Sequence, residues 1–277
     1  MQTAVQRTSP YHVLAILLLV ALSLLFLFPM YWILTGSVKD IQAVNAARPV
    51  WFPLAPTLDN YQRLFARPAM QWLWNTVFIC LMAMLLTCAV ASLAGYALAR
   101  KNFRGRAFLF AMFISALALP KQVILIPLLK EMSFLRLHDT PWAVILPTVG
   151  WPFGVFLMKQ FSENIPGSIL EAARIDGAGE VMTFTRVVLP IIKPDIGALA
   201  IFTFITAWND YFMQLIMLNS QAKLTISLGI AKLQTEMSND FGLIMAGAAL
   251  SAIPITAVFL LFQQFFTRGI TMGAVKG

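Results

Sequence analysis

Two charged side chains stand inside otherwise uncharged, apolar stretches of this 277-residue chain: Lys121, between 107–120 and 122–129, and Asp210, between 196–209 and 211–222. A charge at the centre of a bilayer costs about 2.5 to 3.5 kcal/mol on insertion scales, so such groups face a partner or a cavity. Lys121 follows Arg106 by fifteen residues, as Asp210 follows Asp195. At the α-helical rise both charges reach a similar depth of ~22 Å. Two kinds of chemistry fit. In one, Lys121 lines a polar path, Asn209 and Asp210 hydrogen-bond hydroxyl groups, and Trp208 supplies a stacking face. In the other, Lys121 and Asp210 form a structural ion pair or cap helices broken near Pro120. Two isolated charges are too few for an intramembrane enzyme, which needs clustered acid, base or metal groups.

The elements that position these residues follow from composition. Hydrophobic residues make up 59% of the chain and charged ones 12%, against about 25% charged in an average soluble domain. Too little polar surface exists to coat a water-facing globule, so the chain reads as an all-α membrane protein. A span needs about 20 apolar residues, and the gaps between charges predict six transmembrane helices, at about 13–36, 72–99, 107–129, 140–160, 195–217 and 243–266, in one domain over 1–277. The third and fifth contain Lys121 and Asp210. Thr140 with Pro141, and Lys193-Pro194-Asp195, read as starts of the fourth and fifth spans.

Orientation follows from Arg100, Lys101, Arg104 and Arg106, four cations within seven residues that resist translocation. Both termini are then cytoplasmic. The first span, preceded by Arg7, is too long for a signal h-region and reads as an anchor. The net charge of +8 is spread over the loops, which points to the positive-inside bias and to no nucleic-acid partner. Cys80 and Cys88 share one span and read as packing residues. His12 and His138 lie far apart with no ligand-spaced Glu or Cys, so no metal site is expected.

The polar loop 161–194 separates the fourth and fifth spans. Ser168-Ile-Leu-Glu171 has the form of a capping box, with Ser168 as the helix cap. Gly177 suits the left-handed turn that ends such a helix, and Gly179 lets the chain turn again. A second segment, Glu180 to Val188, should stop before Pro190. The result is a helix-turn-helix at the membrane surface, in which Ala172 and Ala173 allow close approach while Ile169, Leu170 and Ile175 offer apolar contact. An interfacial connector that binds nothing fits the same residues.

The spacing Glu171-Ala172-Ala173, Gly177, Val187, Leu189-Pro190 resembles the EAA loop of binding-protein-dependent ABC importer permeases, with Val187 where isoleucine is usual. Leu58-Asp-Asn-Tyr61, Gly95-Tyr-Ala-Leu-Ala-Arg100 with Phe103-Arg-Gly-Arg106, Pro120, Pro127, Trp208-Asn209-Asp210 and the tail Val275-Lys276-Gly277 are similar to the carbohydrate-uptake branch, in particular to the smaller permease subunit of maltose transporters. The resemblance implies a type I importer permease fold with a cytoplasmic coupling helix between helices 4 and 5. It implies half of the translocation pathway for a sugar or oligosaccharide. It also implies a second permease subunit, a pair of ATPases, an extracytoplasmic solute-binding protein, and a bacterial or archaeal cell (inner) membrane. The same engine serves amino acids, phosphate or polyamines, so a non-sugar solute is the alternative. No phosphate-binding loop of the G-x-x-x-x-G-K-[ST] type is present. No cofactor is therefore expected on this chain, and ATP and Mg belong to the partner ATPase.

Overall fold

A computed structural model describes residues 10–237 and 240–274, with side chains described over 11–237 and 240–263. The tail Val275-Lys276-Gly277 and Arg7 lie outside these residues. All regular structure among them is helical: α1 (Pro10–Ser37), α2 (Ile41–Val44), α3 (Asp59–Phe65), α4 (Ala69–Arg100), α5 (Arg106–Leu117), α6 (Lys121–Phe134), α7 (Trp142–Val149), α8 (Pro152–Glu163), α9 (Gly167–Ile175), α10 (Glu180–Met182), a π turn (Thr183–Val188), α11 (Leu189–Ile191), α12 (Lys193–Asn209), α13 (Tyr211–Met217), a 3-10 turn (Gln221–Lys223), α14 (Ile226–Glu236) and α15 (Phe241–Ala274).

Four helical stretches are long and apolar enough to cross a membrane: Tyr11–Ser37, Ala69–Arg100, Trp142–Glu163 and Phe241–Gln263. Two further candidates are bent pairs, Arg106–Leu117 with Lys121–Phe134 at 108° and Glu180–Ile191 with Lys193–Asn209 at 75°. Each bend has a local cause. Proline lacks the amide hydrogen and disfavours helix in the residue before it. Pro120 sits extended (φ −59°, ψ 131°) at the first break, and Pro194 opens α12 just after the second. The predicted segment 195–217 is interrupted again at Asp210 (φ −79°, ψ 71°), where α12 ends and α13 begins. Thr140 does not cap the fourth span. Its hydroxyl donates to the Leu137 carbonyl at 2.6 Å, and Pro141 holds the cap position of α7 without a side-chain bond.

The chain divides into two compact units, residues 1–69 with 230–252 and residues 70–229 with 253–277. In the first, the most apolar window of α1 buries nothing, while the α1–α3 connection is tied by polar bonds. Buried Asn60 donates to the Ser37 and Lys39 carbonyls at 3.1 and 2.7 Å. Arg63 pairs with Asp240.

The second unit carries the candidate sites. Its core joins Ala91, Tyr96 and Leu98 of α4, Val155 and Met158 of α8, and Leu170, Val188, Ile192 and Leu199 of the following hairpin and α12. The seam between α4 and α8 is narrow at Gly95, where a methyl group would lie 2.6 Å from Met158 Cβ and 2.7 Å from the Lys159 amide nitrogen. Small residues that let helix backbones approach are the usual source of helix association in lipid.

Candidate functional site

The loop after α8 forms a compact hairpin. α9 ends in a Schellman turn: the Ala178 amide donates to the Ala173 carbonyl at 2.9 Å and the Gly177 amide to the Arg174 carbonyl at 3.0 Å. Gly177 lies at φ +78°, a left-handed conformation that costs other residues energy. The helix starts two residues earlier than the capping-box reading places it. Pro166, already extended at φ −58° and ψ 133°, occupies the cap position, Ser168 falls inside the first turn, and no side chain caps this end. The second segment also runs on past its expected stop. The π turn at Thr183–Val188 leads without a gap into α11, which contains Pro190. Wider i→i+5 bonding relaxes the register that an interior proline would otherwise break. Gly179 has an ordinary φ of −67°, so its backbone does not require glycine.

The hairpin has two faces. Leu170 and Ala173 are buried, so Leu170 belongs to the core and not to the expected contact surface. Glu171, Ala172 and Gly177 are exposed. Around them stand Ile175 at 85%, Val181 at 77% and Met182 at 44% exposure, an apolar tip with polar flanks. Val187 is half-buried, while Leu189 and Pro190 are exposed.

The inner face is fastened to the end of α4. Arg100 donates to three carbonyls where α8 ends, through Nε to Ser162 at 2.9 Å and through Nη2 to Glu163 at 2.8 Å and to Ile165. These are orphan acceptors of a helix C-terminus, and a cation there also opposes the helix dipole. The next residue, Lys101, pairs with Glu180 at the start of α10 and lies 5.3 Å from the Tyr96 ring centroid. Burial, then the nearby Arg174 charge, lowers its pKa from the ordinary lysine value. Tyr96 meets Phe184 of the π turn at 5.4 Å between centroids. From the sequence, Arg100 and Lys101 serve as an orientation signal and Arg100 as the end of the Gly95–Arg100 motif, with no partner assigned to either. A partner 62 or 79 positions away has no local signature.

The charges at Lys121 and Asp210 do meet, with Nζ 3.6 Å from Oδ2. Lys121 also lies 4.9 Å from the Trp151 ring centroid, and Asp210 accepts the Met213 amide at 3.3 Å to cap α13. Their neighbours in sequence do not join them. Trp208 is 3% exposed and stacked on Phe204 at 5.7 Å, which leaves no free ring face for a solute. The exposed Asn209 turns back to donate to the Ile205 carbonyl at 2.9 Å. Beside Lys121 is a cleft of about 30 Å³ lined by Thr87, Thr148, Trp151, Phe153, Thr203 and Thr206, among others. That space holds about two water molecules. The Thr87 hydroxyl oxygen is buried without a partner.

One further polar cluster escaped sequence reading. Asp139, at φ +57°, accepts the Asn219 and Ser220 amides at 2.8 and 3.0 Å, the Ser220 hydroxyl, and Lys223 Nζ at 3.3 Å. Burial raises its pKa, but the Ser220, Asn219 and Lys223 bonds together outweigh it and hold the carboxyl well below the usual range. An Asp in a left-handed turn is the faint signal for it. Among the described residues no group of three or more His, Cys, Asp or Glu could hold a metal.

A family model described as "Binding-protein-dependent transport system inner membrane component" matches residues 89–272. The arabinooligosaccharides transport system permease protein of Bacillus subtilis is 32% identical over 97% of this chain and 97% of that protein. The trehalose/maltose transport system permease protein of Thermococcus litoralis is 30% identical over 96% and 97%. Among solved structures, a chain of a bacterial ABC transporter involved in import of the acidic polysaccharide alginate superposes with a TM-score of 0.84 at 22% identity. That match covers 96% of this chain and 100% of the other, and it shows the shared fold.

Proposed function

From the premise that this chain belongs to the family of binding-protein-dependent transport system inner membrane components, we propose that it forms half of the membrane pathway of an ATP-driven importer for a sugar or oligosaccharide. It is a transport subunit and not an enzyme. In this reading the bent pairs count as spans, giving six in a type I arrangement and a single functional domain over 1–277. Both termini and the hairpin 161–194 face the cytoplasm of a bacterial or archaeal cell. A second permease completes the pathway, a solute-binding protein delivers the cargo, and two ATPases hold the ATP and Mg. The carbohydrate names of the relatives favour a sugar over amino acids, phosphate or polyamines.

The observation that carries the reading is the split character of the hairpin. Its inner side is bonded to α4 and α8, while its tip presents Ile175, Val181 and Met182 to solvent around a glycine in a left-handed turn. A tip that only rested at the interface would need no clamp. As the coupling helix, it would take the stroke of ATPase closure at exposed Glu171, Ala172 and Gly177, with buried Ala173 packing the helix against the core, and pass it through Val187, Leu189 and Pro190 into α12. In the same reading Lys121 and Asp210 border the pathway through their ion pair, Trp208 supports it by packing on Phe204, Asn209 stays bonded to the α12 backbone, and Ser168 lies in the first turn of the coupling helix.

The test is to co-express this chain with its partners and introduce Gly177→Arg. The variant should insert in the membrane at wild-type level yet lose the ATPase on purification, and glycan-stimulated ATP hydrolysis with it. Normal uptake in that variant would overturn the docking assignment.

A further inference from the structure

A second surface lies at the same end of the unit, where α5 begins and α8 ends. Phe103, Arg106, Phe108, Phe110 and Lys159 line a groove of about 750 Å³. Its walls are mainly aromatic: Phe108 is 73% and Phe103 41% exposed. The floor is set by Lys159, nearly buried, with Nζ 4.0 Å from the Phe110 ring centroid and 2.6 Å from Glu163 Oε1. That lysine is neutralised in place.

Arg106 is different. Its guanidinium donates to neutral acceptors alone: the Ala99 carbonyl at 3.1 Å, Asn102 Oδ1 at 3.4 Å and the Lys101 carbonyl at 3.5 Å. Among the described residues no carboxylate pairs with Arg100, Arg104 or Arg106, and of the four cations in 100–106 Lys101 alone has an ion pair. Arg104 is exposed two residues from Arg106, and the positive end of the α5 dipole points the same way. An uncompensated cationic rim therefore borders an aromatic trough at the start of a membrane helix. Water satisfies the first poorly near lipid and does not suit the second.

We propose that this groove holds one anionic phospholipid, its headgroup phosphate between Arg104 and Arg106 and its first acyl segment along Phe103, Phe108 and Phe110. The occupant is anionic and not zwitterionic because no acidic residue lines the groove and the nearby Glu163 is taken up by Lys159, which leaves no carboxylate to receive a choline ammonium. The proposal rests on membrane insertion only and stands whether or not the chain imports a sugar.

The test uses the full-length chain in detergent micelles, stripped of lipid and titrated with phosphatidylglycerol, phosphatidylcholine or inorganic phosphate, with bound species counted by native mass spectrometry. At about fivefold per surface cation, two arginines should give one retained phosphatidylglycerol with a preference of roughly 30-fold over phosphatidylcholine. Arg104→Gln and Arg106→Gln should each reduce the preference to about fivefold, and the double variant should remove it. Phe108→Ser should weaken both lipids and leave the headgroup preference intact. Arg106 also holds the end of α4, so if its variant fails to fold, Arg104→Gln, which breaks no such bond, decides the matter. Equal retention of the two lipids, a preference untouched by Arg104→Gln, or displacement of phosphatidylglycerol by inorganic phosphate would each sink the assignment.

Discussion

Gly95→Ala should be among the most damaging single-methyl additions in the second unit. The added carbon would stand 2.6 Å from Met158 Cβ, 2.7 Å from the Met158 carbonyl carbon and 2.7 Å from the Lys159 nitrogen. Carbon contacts settle at about 3.5 to 4.0 Å, so α4 and α8 must part by about 1 Å, because backbone cannot rotate aside as a side chain would. Overpacking of this kind costs about 1 to 3 kcal/mol, and the upper end applies here. Two comparison variants bracket it. At Gly154 the new methyl would meet Ala91 Cβ at 3.1 Å and Thr87 Cγ2 at 3.2 Å, contacts that yield by a few tenths of an ångström, for ~1 kcal/mol. At Gly179 nothing lies within 4 Å and φ is −67°, so alanine should be neutral or stabilising by about 0.5 kcal/mol through the unfolded chain. Unfolding in mixed micelles with rising dodecyl sulfate, followed by tryptophan fluorescence, gives the three values. Equal stability of the Gly95 and Gly179 variants would refute the seam.

Three other outcomes follow from the geometry. Lys101→Glu or Glu180→Lys alone should lower uptake per ATP, with a stability change of about 0.2 to 1 kcal/mol because Glu180 is largely exposed, and the double exchange should restore coupling. No restoration would mean the pair is incidental. Lys121→Met and Asp210→Asn should each destabilise by about 1 to 3 kcal/mol by leaving a partner uncompensated, while the double variant should be more stable than either. Strict additivity in that cycle would show that the two charges do not act together. Asp139 has a depressed folded-state pKa, so its stabilisation is fully present above the unfolded value near pH 4 and is lost as pH falls below it. Asp139→Asn should remove about 2 kcal/mol at neutral pH and flatten the melting-temperature profile between about pH 4 and 2, and an unchanged slope there would count against the cluster.

Features set by local backbone chemistry were legible in the sequence. Gly177 was found because few residues accept a positive φ, and the break near Pro120 because proline removes an amide. Lys121 and Asp210 pair as one of the two readings expects, but a 108° bend separates Arg106 from Lys121, so the equal spacing from Arg106 and Asp195 is not a distance along straight helices. Misreadings arose where tertiary context chose among local options. Ser168 has a capping side chain, but Pro166 already supplies the extended entry to α9. Trp208 has a stacking face, but Phe204 occupies it. Leu170 has the right type for a docking surface and the wrong side of the helix. Least legible were Arg100 and Lys101, whose partners at the end of α8 and the start of α10 lie 62 and 79 positions away, and the threonines beside Lys121, which only the packed helices bring to one cleft.

The α4–α8 seam has a mechanical consequence. α8 carries both ends of the second unit's chemistry: Trp151, Phe153 and Gly154 at its start border the Lys121 cleft, and Ser162 and Glu163 at its finish are held by Arg100. Its 12 residues span ~18 Å. With the helix locked against α4 at Gly95, a displacement of the hairpin cannot be absorbed by sliding between them. Motion must instead be taken up at the bends by Pro120 and Ile192. A tilt of about 5° over that length shifts the far end by ~1.6 Å, comparable to the radius of the water-sized space beside Lys121. A hairpin stroke of this size would be enough to widen or close the cleft and to strain the 3.6 Å Lys121–Asp210 contact. That contact is therefore where movement begun at Gly177 should be felt at the far end of α8.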